Sequence, residues 1–189
     1  MKKIILITSL IIFGVCSFAF AQSNPKVVID TSMGKIEAEL YPDKAPITVE
    51  NFLSYVNEKY YDGLVFHRVI PNFMIQGGGM DSQLKEKATK KPIKIESDNG
   101  LKNEKGTLAM ARTQVPDSAT SQFFINLVDN PFLNYKAPTV AGYGYAVFGK
   151  VTNGMDIVEK IGKVQTGTKG YHDDVPTTPV IIKSIRVIK

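Results

Sequence analysis

Residues 66–78 of this 189-residue chain are Phe66-His67-Arg68-Val69-Ile70-Pro71-Asn72-Phe73-Met74-Ile75-Gln76-Gly77-Gly78. Their pattern predicts a strand, a turn and a second strand. Because side chains alternate across a strand, Phe73 and Ile75 should face one side, and Met74 and Gln76 the other. Arg68 is thereby placed on a strand among apolar and aromatic neighbours.

A second unit of the same character follows further along the chain. It consists of Gly106-Thr107-Leu108-Ala109-Met110-Ala111-Arg112 and then Ser121-Gln122-Phe123-Phe124-Ile125-Asn126, so amide and aromatic side chains again share a strand. From the residues alone, two interpretations stay open. Arg68 is either a functional cation or one half of a structural salt bridge. The same choice applies to four apolar residues, which either line a functional pocket or belong to the ordinary core: Phe73, Met74, Phe124 and Leu133.

The rest of the chain predicts a mainly β protein. Ile36, Ala38 and Leu40 alternate with glutamates, which is typical of a half-buried antiparallel strand. Short strands are predicted over residues 26–31, 35–41, 64–70, 73–77, 93–96, 107–111, 122–127, 146–151 and 179–188. Helical spacing of apolar residues predicts helices over 46–56 and 155–161. This pattern favours an antiparallel barrel or sandwich with helical caps.

The sequence lacks the common motifs of catalytic and metal-binding sites. His67 and His172 are the only histidines, and neither belongs to a metal-ligand pattern such as H-E-x-x-H. No G-x-S-x-G elbow, P-loop or G-x-G-x-x-G motif between a strand and a helix is present. We therefore expect no metal, no cofactor and no nucleophile.

The two units resemble the cyclophilin-type peptidyl-prolyl cis-trans isomerases. Phe66 to Gly78, Ser121 to Asn126 and Val147-Phe148-Gly149-Lys150 match the family in its own order, and the likeness runs from about Val27 to Ile188. The short connection from Gly79 to Gly106 resembles the compact bacterial branch. The resemblance implies a closed eight-stranded antiparallel barrel capped by two α-helices. It also implies an enzyme that rotates Xaa-Pro bonds in proline-containing segments of unfolded or folding proteins.

The resemblance also implies site residues. The family's catalytic group falls on Arg68, Phe73 and Gln76. The substrate-binding residues fall on His67, Met74, Ala111, Arg112, Gln122, Phe124, Phe132, Leu133 and Tyr145. Three of these depart from the eukaryotic pattern, since Phe132 replaces a Trp, Tyr145 a His and Arg112 an Asn. Phe132 has no hydrogen-bond donor, so weak binding of the family inhibitor cyclosporin is expected.

The first 21 residues predict a secretory signal peptide. Lys2 and Lys3 precede an apolar run, and Ala19-Phe20-Ala21 is typical of a cleavage site, so the isomerase domain would span 22–189. A retained membrane anchor and a lipoprotein built on Cys16 are the alternatives. Cleavage would leave a chain without cysteine and without a membrane segment. We expect a monomer exported to the periplasm, or secreted.

Composition and charge narrow the function further. With 43% hydrophobic and 22% charged residues, the chain is typical of a globular protein. Removal of Lys2 and Lys3 with the signal peptide lowers the net charge from +5 to +3, which does not favour nucleic acid as a partner. Two other functions stay open. One is a non-catalytic binder of proline-containing segments, and the other is an interaction role for the lysine-rich loop over 85–94, which otherwise is simply solvated.

Overall fold

The computed structural model describes residues 23–188, and its first hairpin follows directly from the alternating sequence. Strands β1 (Lys26–Thr31) and β2 (Gly34–Leu40) pair antiparallel around a tight turn. Every second side chain of this hairpin is buried, from Val27 and Ile29 to Leu40. Burial of one face fixes the register, because a slip by one residue would turn every apolar side chain toward water.

Six further strands complete a barrel with β1 and β2: β3 (Val65–Ile70), β4 (Met74–Gly77), β5 (Thr107–Met110), β6 (Phe123–Asn126), β7 (Val147–Asn153) and β10 (Val180–Ile188). The eight strands close into an antiparallel barrel in the order β1-β10-β3-β4-β6-β5-β7-β2. The predicted closed barrel is confirmed, and the strand bounds lie within two residues of the predicted ones. Closure leaves the barrel without a free sheet edge.

Two helices pack against the barrel core, as expected. They are α1 (Pro46–Asn57) and α2 (Met155–Ile161). The buried face of α1 includes Val49, Phe52 and Val56. The ring of Phe52 lies 5.5 Å from that of Phe123 and 5.2 Å from that of Phe148, so this helix is held by aromatic packing inside the barrel.

The prediction of a strand over residues 93–96 is wrong. Ile93 forms only an isolated bridge with Ala119, and the amide of Ile95 donates to the carboxylate of Asp117. Glu96 instead accepts hydrogen bonds from the backbone amides of Ile47 and Thr48 at the start of α1. These side-chain hydrogen bonds replace strand pairing, and local sequence patterns do not register such a partner.

A second, two-stranded sheet was not predicted. Strands β8 (Thr166–Lys169) and β9 (His172–Pro176) form a hairpin outside the barrel. Only Val175 and Pro176 are buried in it, so no apolar alternation marks it in the sequence. This hairpin lies against β3 and forms part of the site described below.

The segment from Met80 to Lys91 is a loop, as predicted, apart from a bridge between Met80 and Glu86. Lys90 turns back to α1, where its Nζ lies 2.6 Å from the carboxylate of Glu58. Within residues 23–188, no helix has the length and apolar character needed to cross a membrane. The predicted signal peptide, its cleavage after Ala21 and Cys16 lie outside the described residues.

Candidate active site

The candidate site lies on the outer face of the barrel over β3, β4, β6 and β5. Strands β4 and β6 send Ile75, Phe123 and Ile125 into the main core, and their intervening residues Met74 and Phe124 point the other way. Met74 and Phe124 are also buried, at 2% and 4% exposure, because they belong to a second apolar cluster on this face. A cavity of about 540 Å³ opens over this cluster.

The floor of the cavity is an apolar pocket. It joins the outward side chains of β4 and β6 to a 3₁₀ turn (Pro131–Leu133) and to the residues before β7, and it consists of Phe73, Met74, Phe124, Leu133 and Tyr145. The rings of Phe124 and Tyr145 meet edge to face, with 5.6 Å between their centroids and 81° between their planes. Such a pocket suits a compact apolar group, because most of its side chains are apolar and largely buried.

Arg68 and two amides form one side of the rim. Arg68 pairs with Gln76 across β3 and β4, and Gln76 Nε2 donates a hydrogen bond of 2.9 Å to Gln122 Oε1. The Arg68 side chain keeps 44% of its surface exposed, and its Nε lies 3.6 Å from Asp174 Oδ2. A permanent cation therefore stands beside the apolar pocket.

Arg112 occupies the opposite side in a well-held position. Its Nε donates to the carbonyl of Gly144 at 2.7 Å, and its guanidinium lies 5.0 Å from the centre of the Tyr145 ring. Gly144 has φ +63°, and a Cβ there would approach the carbonyl oxygen of Leu133 to 2.3 Å. Only glycine fits this position, so the backbone that accepts the hydrogen bond from Arg112 has a well-defined conformation.

His67 lines the cavity and is electrically neutral near neutral pH. Its side chain is 6% exposed, and its Nδ1 has no hydrogen-bond partner among the described residues. Burial, followed by the nearby His172 and Arg68, lowers the pKa of His67 from 6.5 to about 4. His67 therefore contributes shape rather than charge near neutral pH.

The structure brings together eleven of the twelve residues that the family resemblance points to. The cavity is lined by His67, Arg68, Phe73, Met74, Gln76, Ala111, Arg112, Gln122, Phe124, Leu133 and Tyr145. Phe132 does not line it. The ring of Phe132 is stacked on that of Phe73, with 5.6 Å between centroids, and the residue is 61% exposed. Its position is therefore beside the pocket and open to solvent.

Sequence reasoning missed one wall of the cavity. Five further residues line it, four of them in the unpredicted hairpin: Met80, Tyr171, His172, Asp173 and Asp174. Gly170, with φ +63° at the hairpin turn, is the one local signal of this element, and a single glycine does not specify a hairpin. Across residues 23–188, no group of three or more His, Cys, Asp or Glu side chains could hold a metal ion.

Comparison with known proteins identifies the family to which this geometry belongs. The family model described as cyclophilin type peptidyl-prolyl cis-trans isomerase/CLD matches residues 26–187. The chain is 55% identical to a peptidyl-prolyl cis-trans isomerase of Acinetobacter baylyi, over 95% of this chain and 94% of that protein. It is 56% identical to isomerase B of Escherichia coli, over 85% of this chain and 98% of that protein.

Solved structures show the same relationship. A cyclophilin-type isomerase of Cryptosporidium parvum superposes with a TM-score of 0.70 at 27% identity, covering 88% of this chain and 98% of that one. The chain thus belongs to the family of cyclophilin-type peptidyl-prolyl cis-trans isomerases. It is an enzyme of that activity, and proline-containing peptides are its substrates.

Proposed function

We propose that Arg68 is the catalytic group and that the apolar pocket beside it holds the substrate proline. The observation that carries this proposal is the position of the Arg68 guanidinium, on the rim of a pocket formed by Phe73, Met74, Phe124 and Leu133. Gln76 and Gln122 stand next to it and offer amide groups for the peptide backbone.

The chemistry requires a fixed cation rather than a nucleophile. Rotation about an Xaa-Pro bond faces a barrier of about 18–20 kcal/mol, since the amide has partial double-bond character. No covalent bond is broken, so the enzyme need only bind the twisted amide more tightly than either planar isomer. Twisting localises a lone pair on the prolyl nitrogen, and a guanidinium can donate a hydrogen bond to it or to the adjacent carbonyl oxygen. Arg suits this task because its planar donors are always charged.

The competing interpretation makes Arg68 a structural salt bridge with Asp174. The pair exists, but its side chains are 44% and 38% exposed and the two atoms are 3.6 Å apart. Exposed pairs of this kind contribute about 1 kcal/mol or less to stability. The pair therefore gives little structural reason for an arginine at this position.

The test is a pair of substitutions at Arg68. We expect Arg68→Ala to lower kcat/KM by at least about tenfold, because a charge-assisted hydrogen bond worth about 1.5–3 kcal/mol is lost in the transition state. Arg68→Lys should also be impaired, since one ammonium does not reproduce the planar fork. Isomer exchange on a short Xaa-Pro peptide, followed by NMR, measures both, and binding of the ground-state peptide should change much less.

Arg186→Ala is the matched control. Arg186 forms a two-pronged pair with Asp62 away from the cavity, with Nη1 2.8 Å from Oδ1. Its loss should lower the thermal midpoint and leave the rate per folded molecule unchanged. If Arg68→Ala behaves like this control, with a lower midpoint and wild-type exchange, the catalytic assignment is wrong. If Arg68→Ala loses isomer exchange but still binds the peptide, Arg68 acts in catalysis and not merely in peptide binding.

We also propose that the enzyme acts on exported proteins, in the periplasm or beyond, and assists their folding. Two basic residues followed by an apolar run and Ala19-Phe20-Ala21 support this location. The relative from E. coli aligns over 98% of its own length with 85% of this chain, so an isomerase of this family needs fewer residues than this chain has.

Weak cyclosporin binding and a monomeric state are further expectations. Phe132 is exposed beside the pocket and carries no hydrogen-bond donor for a bound inhibitor. The substrate cavity is formed within one chain, so a second copy is not required to complete it.

A further inference from the structure

We propose that Asp174 of the β8–β9 hairpin is a positioning residue that holds the Arg68 guanidinium over the apolar pocket. This inference rests on the proposed catalytic role of Arg68. It assigns a function in the isomerase reaction to an element outside the barrel.

The contact is an ion pair, longer than a hydrogen bond, and its direction suits positioning. Asp174 Oδ2 approaches Arg68 at Nε, the inner nitrogen, at 3.6 Å. Approach at this nitrogen leaves the two terminal amino groups of the guanidinium available to a peptide in the cavity. The Arg68 side chain is 44% exposed, so packing within the barrel does not by itself fix its long and flexible stem.

The hairpin in turn holds Asp174 in place. Val175, the next residue, is 7% exposed, and the carboxylate of Asp173, the preceding residue, accepts a hydrogen bond of 2.7 Å from the Thr168 hydroxyl. On the other strand, Lys169 Nζ donates to the carbonyl of Ser82 at 3.1 Å. Asp174 is therefore anchored on both sides, and its carboxylate is presented from a fixed backbone.

The backbone of Asp174 carries a further sign of specification. Its φ is +60°, in the left-handed region that non-glycine residues adopt uncommonly and that Asp and Asn tolerate best. Such conformations persist only where the surrounding structure offsets their energetic cost. Residues in these conformations are found most often at functional sites. Here the conformation directs a carboxylate at the cation of the site.

Asp174→Asn and Asp174→Gly are the test variants. Both residues tolerate a positive φ, so the hairpin backbone is retained while the charge is removed. We expect each variant to lower kcat/KM by about two- to fivefold, the range that an exposed ion pair supports. The loss should fall on kcat rather than KM, since the guanidinium acts mainly in the transition state. NMR relaxation of the Arg68 Nε–H group should show increased motion in both variants.

Asp156→Asn is the matched control, because it removes one negative charge from an exposed ion pair on α2, at a residue that does not line the cavity. This variant should keep wild-type kcat and unchanged Arg68 relaxation. Wild-type kcat with unchanged Arg68 motion in Asp174→Asn would overturn the positioning role.

A double-mutant cycle separates this inference from the proposed function. If Asp174 acts through Arg68, Asp174→Asn adds no further loss of kcat/KM in an Arg68→Ala background. A loss that persists in that background overturns the inference. Arg68→Ala with a wild-type rate overturns the proposed function itself. Impaired Arg68→Ala beside fully active Asp174→Asn overturns only the role of Asp174.

Discussion

His67 and Arg68 are neighbours on β3 that differ in burial and in charge. The β3–β4 register shifts between Phe66 and Arg68, and the side chains of His67 and Arg68 both line the cavity. His67 is buried there at 6% exposure, whereas the Arg68 side chain stays 44% exposed at the rim. Burial lowers the pKa of His67 to about 4, so this side chain carries no charge near neutral pH. The two neighbouring side chains therefore differ in charge at the cavity.

His67 predicts a loss of stability in acid. In the unfolded chain its pKa is the ordinary 6.5, and in the folded protein it is about 4. Between these values the unfolded state binds a proton that the folded state does not, so the free energy of unfolding falls as the pH falls from about 6.5 to about 4. The loss of unfolding free energy reaches about 3 kcal/mol near pH 4, by the conversion of 1.36 kcal/mol per pKa unit.

NMR titration of the His67 ring tests this directly, with a midpoint expected near 4. His67→Gln should unfold in urea with a weaker pH dependence than the wild type between pH 7 and pH 4.5. Carboxylates titrate in both proteins, so the difference between the two curves isolates His67. A ring midpoint near 6.5 would contradict the burial argument.

At the scale of elements, helix α1 takes its N-terminal cap from a distant loop. Its N-cap residue, Ala45, supplies no side-chain hydrogen bond. Glu96 accepts instead from the amide of Ile47 at 3.1 Å, and from the amide and hydroxyl of Thr48 at 2.8 and 2.6 Å. A carboxylate at this end of a helix is also favoured by the helix dipole.

Glu96→Ala should therefore destabilise the protein by about 1–2 kcal/mol, the range for loss of an N-cap. Glu96→Gln keeps one acceptor oxygen and loses the charge, so a smaller effect is expected. Urea unfolding of the three proteins provides the measurement, and kcat/KM per folded molecule should stay unchanged. Equal midpoints for the wild type and Glu96→Ala would show that the cap does not contribute.

At the scale of the whole molecule, the barrel has two apolar surfaces. One faces inward and forms the core. The other lies on the outer face and is formed by Met74, Phe124 and Leu133 with their neighbours. Strands β5 and β6 are accordingly buried along their full length. The outer surface is where the cavity forms, so the same strands both close the fold and hold the site.

The full chain is expected to lose its first 21 residues on export. Protein purified from its native host should have the intact mass of residues 22–189, because Ala19-Phe20-Ala21 presents small residues at both positions that a signal peptidase recognises. Mass spectrometry of the undigested protein decides the matter. A mass that retains residues 1–21, or one that carries lipid on Cys16, would contradict cleavage after Ala21.

Local patterns in the sequence determined the elements of this fold. Alternation over residues such as Ile36, Ala38 and Leu40 sets which face of a strand is buried, and helical spacing does the same for Phe52 and Val56. Both signals act over a few residues, so they need no knowledge of the rest of the chain. The resemblance of the motifs to a known family predicted the family itself and most of the residues that line the cavity.

Only the tertiary structure decided which distant residues meet. Glu96 reaches Thr48 across 48 positions of sequence, so residues 93–96 form no strand although they resemble one. The β8–β9 hairpin has no apolar alternation, and its stability comes from packing against β3 and from single polar contacts such as that of Lys169 with Ser82. The contact between Arg68 and Asp174 depends on that packing. Such pairings are set by closure of the barrel, and no short segment of the sequence contains both partners.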